Sequence, residues 1–132
     1  MTPALVIRIT IVTGVLLFGA VTWFLRRSGS APSPLTPEAA RTLLWMGRAA
    51  WATALAGCVV LFALMQREPT SARTQRLSIV AWALGEMVAL FGGVVWFLTG
   101  MTEWYVSGVV FLVLSLLAFP GASGGRRGGR RA

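Results

Sequence analysis

Four long apolar runs account for most of the chain and constrain its fold more than any other feature. They cover residues 4–25, 43–65, 77–98 and 104–119. A helix needs about 20 apolar residues to cross a bilayer core about 30 Å thick. Too little polar sequence remains to cover four such runs in water. The runs therefore predict an all-α membrane protein, a four-transmembrane-helix up-down bundle with spans at about 4–25, 43–65, 77–98 and 102–119.

Polar segments separate the predicted spans. The first is rich in Ser, Pro and Gly, and Thr36, Pro37 and Glu38 then restart a helix, as a cap, a first-turn proline and an acid at the positive helix end. Residues 120–132 contain Gly and Arg with almost no apolar side chains. Such a composition does not support a packed core. We therefore predict a transmembrane domain at 1–119 and a disordered cytoplasmic tail at 120–132.

The charged residues are few and mostly of one sign. The chain has 12 Arg and 4 Glu, a net charge of +8, and no His, Lys, Asp or Asn. Without His there is no imidazole base and no His-ligated zinc or haem. Cys58 is the single cysteine, which excludes disulfide frameworks and cysteine clusters within the chain. These absences, with no phosphate-binding loop or nucleophile–base pair, predict a non-enzymatic protein without a metal or cofactor.

The distribution of Arg predicts the orientation. The side that holds both termini carries eight Arg: Arg8, Arg67, Arg73, Arg76, Arg126, Arg127, Arg130 and Arg131. The opposite side carries Arg26, Arg27, Arg41 and Arg48. The positive-inside rule therefore predicts both termini in the cytoplasm. We expect the membrane to be the bacterial inner membrane. In that setting the Arg-rich tail is expected to contact anionic lipid rather than nucleic acid.

Aromatic residues mark the opposite side. A predicted membrane-interface belt there consists of Trp23, Trp45, Trp51, Trp96, Trp104 and Tyr105. Trp and Tyr favour this depth because an apolar ring and a polar N–H or O–H can straddle the interface. Only Trp82 lies toward the side of the termini. The belt and the Arg bias therefore predict the same up-down layout.

Two segments nearly repeat one another. Residues 17–25 read LFGAVTWFL and residues 90–98 read LFGGVVWFL. Both end odd-numbered spans, so they would cross the membrane in the same direction. This match is consistent with a duplicated two-helix hairpin, a parallel repeat. The alternative is a chance match within the limited alphabet of membrane helices.

Glu86 is the one carboxylate within the four apolar runs. It lies near the midplane, where an ionised carboxylate costs at least about 2.5 kcal/mol. It must therefore face protein, water or an ion, or be protonated. Thr53 and Ser115 have similar predicted depths and could hydrogen-bond to Glu86, so these three residues form the candidate ion- or proton-binding site. Arg8 and Arg48 are expected to extend to the membrane surfaces instead.

Small residues recur beside Glu86. Gly85, Ala89 and Gly93 are spaced by four, a pattern that lets another helix backbone approach closely. They predict a helix-packing seam, available to a membrane-protein partner or to self-association. Three roles for Glu86 stay open: a hydrogen-bonding group between helices, a proton or cation carrier, and a contact for a partner.

Residues 83–94, ALGEMVALFGGV, carry a family resemblance. The segment resembles the ion-binding helix of the rotor-ring c subunit of F- and V-type ATP synthases, which places its Glu in an A-L-x-E-A-x-A-x-(Y/F)-G-x-V setting. Including the preceding polar loop, the likeness spans about residues 66–98. It implies that Glu86 is a reversible carrier of a proton or sodium ion. The chain departs from that family in having a further span after the Glu helix, and in lacking a dense glycine repeat in residues 43–65.

The predicted function is an accessory or interaction subunit of a membrane assembly, of non-enzymatic role. The alternative is a proton- or cation-coupled transporter or channel component that uses Glu86. The two differ in whether the carboxylate must titrate.

Overall fold

The structure, a computed structural model, describes residues 3–67 and 70–119, and this part of the chain is all-helical, as predicted. Its helices are α1 (Pro3–Arg27), α2 (Pro37–Arg67), α3 (Ser71–Thr99) and α4 (Glu103–Ala118). The first three are long and apolar enough to cross a membrane. α4 is apolar but shorter, with 16 residues. The predicted disordered tail at 120–132 lies outside the described residues.

Local signals explain several helix ends. The Thr36 hydroxyl accepts a hydrogen bond from the Ala39 N–H at 3.3 Å, which is the predicted cap of α2. Gly29, just after α1, has a φ of 77°. Gly100 ends α3 with a φ of 82°, and its N–H donates to the Trp96 carbonyl at 2.8 Å. Glycine occupies both positions at little cost because it has no Cβ.

α3 lies at the centre of the bundle and packs against each of the other three helices. Its Gly85 faces α4, its Gly93 faces Phe18 of α1, and its Leu84 faces Gly57 of α2. Successive helical residues are about 100° apart around the axis. Leu84 and Gly93 therefore point to opposite sides of the direction of Gly85. It follows that α1 and α2 flank the α3–α4 pair from opposite sides.

Contacts along the helices establish their directions. Arg8 lies against Trp82 and Phe18 against Gly93, so α1 and α3 run parallel. Along α2 and α4 the contacts with α3 run in the reverse order, so both are antiparallel to α3. We call the end with the start of α1 and the end of α4 the proximal end. The distal end carries the α1–α2 connection and the α3–α4 turn.

Two buried clusters form the core, one on each side of the α3–α4 pair. The first joins α1, α3 and α4 through Ile11, Val15, Ala81, Trp82, Ala89, Leu112 and Phe119. The second joins α2, α3 and α4 through Ala54, Val88 and Phe111. Large apolar side chains elsewhere remain exposed, among them Leu17, Phe24, Val59 and Leu117. An apolar surface of this extent suits contact with lipid rather than water.

Glycines let α3 and α4 approach closely. A Cβ on Gly92 would collide with the Trp104 carbonyl oxygen. A Cβ on Gly108 would lie 2.7 Å from Ala89 Cα and 2.9 Å from Val88 O. These are backbone atoms, which no rotamer change can move away. The α3–α4 hairpin is therefore packed backbone to backbone, as small residues permit in membrane helices.

Candidate functional site

Glu86 lies on the face of α3 that the other helices leave open. The groove on this open face measures about 460 Å³, and it is lined by Ala83, Glu86, Met87, Leu90, Phe91 and Val94. It is directed away from α4, between the sides taken by α1 and α2. We call it the Glu86 groove. Every lining residue comes from α3, so the groove is a strip of one helix rather than an enclosed cavity.

Within residues 3–67 and 70–119, no side chain hydrogen-bonds or ion-pairs with the half-buried Glu86. Ser115 is buried on the α4 side of α3, where its hydroxyl donates to the Leu112 carbonyl at 2.8 Å. Thr53 is exposed on α2. The structure thus does not join Glu86, Thr53 and Ser115 by hydrogen bonds. The carboxylate instead stands alone among apolar neighbours in the Glu86 groove.

The predicted packing seam is occupied from within the chain. A Cβ on Gly85 would lie 2.6 Å from Ser115 Oγ, and Ala89 is fully buried against Gly108. Gly93 receives the ring of Phe18. These three seam residues therefore hold α3 against α4 and α1. Another protein would have to use a different surface, and the Glu86 groove is adjacent.

Arg8 has a role that the sequence did not indicate. Its Nη2 donates to the carbonyls of Leu116, at 3.2 Å, and Phe119, at 3.1 Å. Its guanidinium also stacks on the Trp82 ring, 4.5 Å from the centroid. The Trp82 N–H donates to the same Phe119 carbonyl at 3.0 Å. Arg8 thus satisfies carbonyls at the end of α4, where a positive charge also complements the helix dipole.

Arg26 repeats this arrangement at the distal end. Its Nη1 donates to the carbonyls of Trp96, at 3.2 Å, and Phe97, at 2.7 Å. These carbonyls belong to the last turn of α3. Arg8 and Arg26 of α1 therefore cap two different helices at opposite ends of the bundle. No sequence signal pairs them, because their acceptors are backbone atoms.

The six aromatic residues of the predicted belt differ in their contacts. Trp23 and Trp45 are exposed, and each has an Arg guanidinium over its ring, at 4.9 and 5.5 Å. Trp51 meets Phe111 edge to face at 5.1 Å. The Trp104 ring lies against Gly47 of α2. Trp23 and Trp45 are thus exposed on α1 and α2, whereas Trp104 packs between α4 and α2.

Tyr105 points into the bundle. Its hydroxyl donates to the Val15 carbonyl of α1 at 2.7 Å, and its ring stacks on Trp96 at 5.3 Å. The hydroxyl also fills the space beside Gly19. Gly19 and Gly92 are equivalent positions of the internal repeat, and both contact the start of α4. Both repeated segments therefore pack against α4, which is the hairpin partner of the second segment only.

The described residues contain no group of three or more His, Cys, Asp or Glu placed to hold a metal ion. Comparison with protein-family models, with curated proteins and with solved structures gives no match. The resemblance of residues 66–98 to the rotor-ring subunit therefore remains local. The Glu86 groove is the most distinctive feature of the described residues.

Proposed function

We propose that this protein is a non-enzymatic accessory subunit of a membrane assembly, and that it binds a partner helix in the Glu86 groove. The proposal places it in the bacterial inner membrane with both termini in the cytoplasm, on the strength of the Arg and Trp distributions. Three helices that are long and apolar enough to cross a membrane support this setting. The lipid bilayer is then its main environment, and the Arg-rich tail contacts anionic lipid.

The observation that carries the proposal is the position of Glu86. It lies about halfway along α3, so at about 1.5 Å per residue each end of the helix is roughly 20 Å away. Its neighbours in the groove are apolar, and no side chain among the described residues pairs with it. A carboxylate facing lipid at that depth is costly, by at least about 2.5 kcal/mol when ionised. A partner helix that supplies a hydrogen-bond donor or a cation would remove this cost.

The shape of the groove suits a helix. Ala83 and Val94 are among its lining residues, and Phe91 borders it on the α2 side. α1 and α2 stand on opposite sides of α3, so the groove between them leaves room for a fifth helix to pack against α3. The seam of Gly85, Ala89 and Gly93 is already filled by α4 and α1. The Glu86 groove therefore remains as the surface where a partner can reach a polar side chain near the middle of α3.

A second candidate function uses the same carboxylate as a proton or cation carrier. Its support is the openness of the Glu86 groove, because a carrier must be reachable from outside the helix pair. In this reading Glu86 must change protonation state or ligand during transport. In the subunit reading it only has to accept or donate a hydrogen bond.

The two functions are separated by substitutions at Glu86. The amide in Glu86→Gln keeps hydrogen-bonding capacity but cannot titrate. We therefore expect Glu86→Gln to retain a co-purifying partner and Glu86→Leu to lose it. Ala83→Trp, which fills the groove, should also lose the partner. Glu38→Gln is the matched control, since it removes an exposed carboxylate outside the groove.

The measurement is recovery of the same partner from membranes with tagged full-length variants, quantified by mass spectrometry. Carbodiimide labelling of Glu86 and proton flux in liposomes are followed in parallel. Glu86-dependent flux that Glu86→Gln abolishes, with no partner recovered, would favour the second function. Equal recovery of the partner by wild type, Glu86→Leu and Ala83→Trp would refute docking in this groove.

A further inference from the structure

A second groove lies at the distal end between α2 and α4. It measures about 620 Å³ and is lined by Arg48, Trp51, Ala52, Leu55, Glu103, Trp104 and Ser107. This volume is in the range of small-molecule sites, which is about 300–1,000 Å³. None of its lining residues belongs to α3, so it is separate from the Glu86 groove. We call it the distal groove.

The distal groove is amphipathic along its length. Arg48 and Glu103 stand at the same level, because the neighbouring residues Gly47 and Trp104 contact one another. Both charged side chains are exposed. From that level α2 leads toward the proximal end through the apolar residue Leu55, about 10 Å further along the helix. One end of the groove thus carries both charges, and Ser107 is the one polar residue in the rest of its lining.

The two charged side chains of the distal groove do not pair with each other. No ion pair joins Arg48 to Glu103 among the described residues. Arg48 lies over the exposed Trp45 ring at 5.5 Å, which leaves guanidinium N–H groups free to bind an anion. Trp51 and Trp104 form walls beside them. Arg recognises phosphate through its planar fork of donors, and a carboxylate accepts hydrogen bonds from a primary ammonium.

From this arrangement we propose that the distal groove binds one phospholipid with a primary-amine headgroup, of the phosphatidylethanolamine type. Arg48 binds its phosphate and Glu103 its ammonium, and an acyl chain lies along Ala52 and Leu55 between the two Trp rings. Charge complementarity selects this occupant. A headgroup with only negative charge leaves Glu103 opposed by an anion, and a trimethylammonium headgroup cannot donate a hydrogen bond.

The test is lipid binding to the purified full-length protein, measured by native mass spectrometry. The probes are phosphatidylethanolamine, phosphatidylcholine and phosphatidylglycerol with identical acyl chains. We expect phosphatidylethanolamine to bind most tightly. Arg48→Gln should weaken both phosphatidylethanolamine and phosphatidylglycerol about tenfold, as loss of a charge-assisted hydrogen bond predicts. Glu103→Gln should weaken phosphatidylethanolamine alone.

Two further variants keep the test decisive. Arg41→Gln removes an exposed Arg of α2 that does not line the groove, and it should bind lipid as wild type does. Ala52→Trp fills the groove at an exposed position and should weaken all three lipids without lowering the melting temperature in detergent. Equal binding of the three lipids, or equal effects of Arg41→Gln and Arg48→Gln, would overturn the proposal. So would Ala52→Trp losing a protein partner while lipid binding is unchanged.

Discussion

Adding one methyl group at Gly108 tests whether α3 and α4 are held backbone to backbone. A Cβ there would lie 2.7 Å from Ala89 Cα and 2.9 Å from Val88 O. Gly14 of α1 is the matched control, because a Cβ there would meet no atom within 4 Å. Both glycines lie inside helices, so each gains about 0.8–1.0 kcal/mol of helix propensity on substitution by Ala. The difference between the two variants therefore isolates the cost of the contact.

Overpacking of a well-packed site costs about 1–3 kcal/mol. Gly108→Ala has to separate two backbones to relieve its contact, since the obstructing atoms cannot rotate away. We expect Gly14→Ala to be neutral or stabilising, and Gly108→Ala to be less stable than Gly14→Ala by about 1–3 kcal/mol.

The assay is reversible unfolding by SDS in mixed micelles, followed by tryptophan fluorescence. Gly108→Leu should extend the trend, because a larger side chain forces α4 further from α3. Equal free energies of unfolding for Gly14→Ala and Gly108→Ala would refute the close approach.

Substitutions at three other positions test the contacts of α1 with α3 and α4, by the same unfolding assay. Arg8→Met removes the Arg8 donor from the Leu116 carbonyl and one of two donors from the Phe119 carbonyl, and it should cost about 1.5–3 kcal/mol. Arg8→Lys should recover only part of the loss, because it keeps a charged donor but lacks the guanidinium fork; an unchanged stability would exclude the cap. Tyr105→Phe removes the hydroxyl that bonds Val15 and should cost about 0.6 kcal/mol, the average for such bonds in membranes, so a loss several times larger would indicate a change in packing. Trp82→Phe removes the N–H donor and reduces the ring beneath Arg8, and combined with Arg8→Met it should cost less than the sum of the two single changes, whereas strict additivity would show that the groups act independently.

Much of the fold is predictable from the sequence because hydrophobicity acts locally. The apolar runs predict the helices, although α2 and α3 begin about six residues earlier, at Pro37 and Ser71. Those added turns are polar and extend past the apolar stretches. Thr36 predicts a helix start because its cap involves a neighbour only three residues away.

The site is less predictable because it depends on which helices meet. The sequence singles out Glu86 by its charge, but whether it faces a neighbour or an open groove depends on how α1 and α2 are placed. Gly85 predicts close packing without naming the partner, which proves to be α4. The role of Arg8 is the hardest to predict from the sequence, because its acceptors are main-chain oxygens of Leu116 and Phe119. Backbone carbonyls leave no mark in a sequence.

The two arginine caps of α1 have a consequence for the order of assembly. Arg26 bonds carbonyls 70 and 71 residues later in the chain, and Arg8 bonds carbonyls 108 and 111 residues later. At a synthesis rate of about 5–20 residues per second, Arg8 waits about 5–20 s for its acceptors. During that interval α1 has been synthesised, but Arg8 has no acceptor yet. The acceptors of Arg26 are therefore synthesised before those of Arg8, so the distal cap can form first and the proximal cap has to await the end of α4.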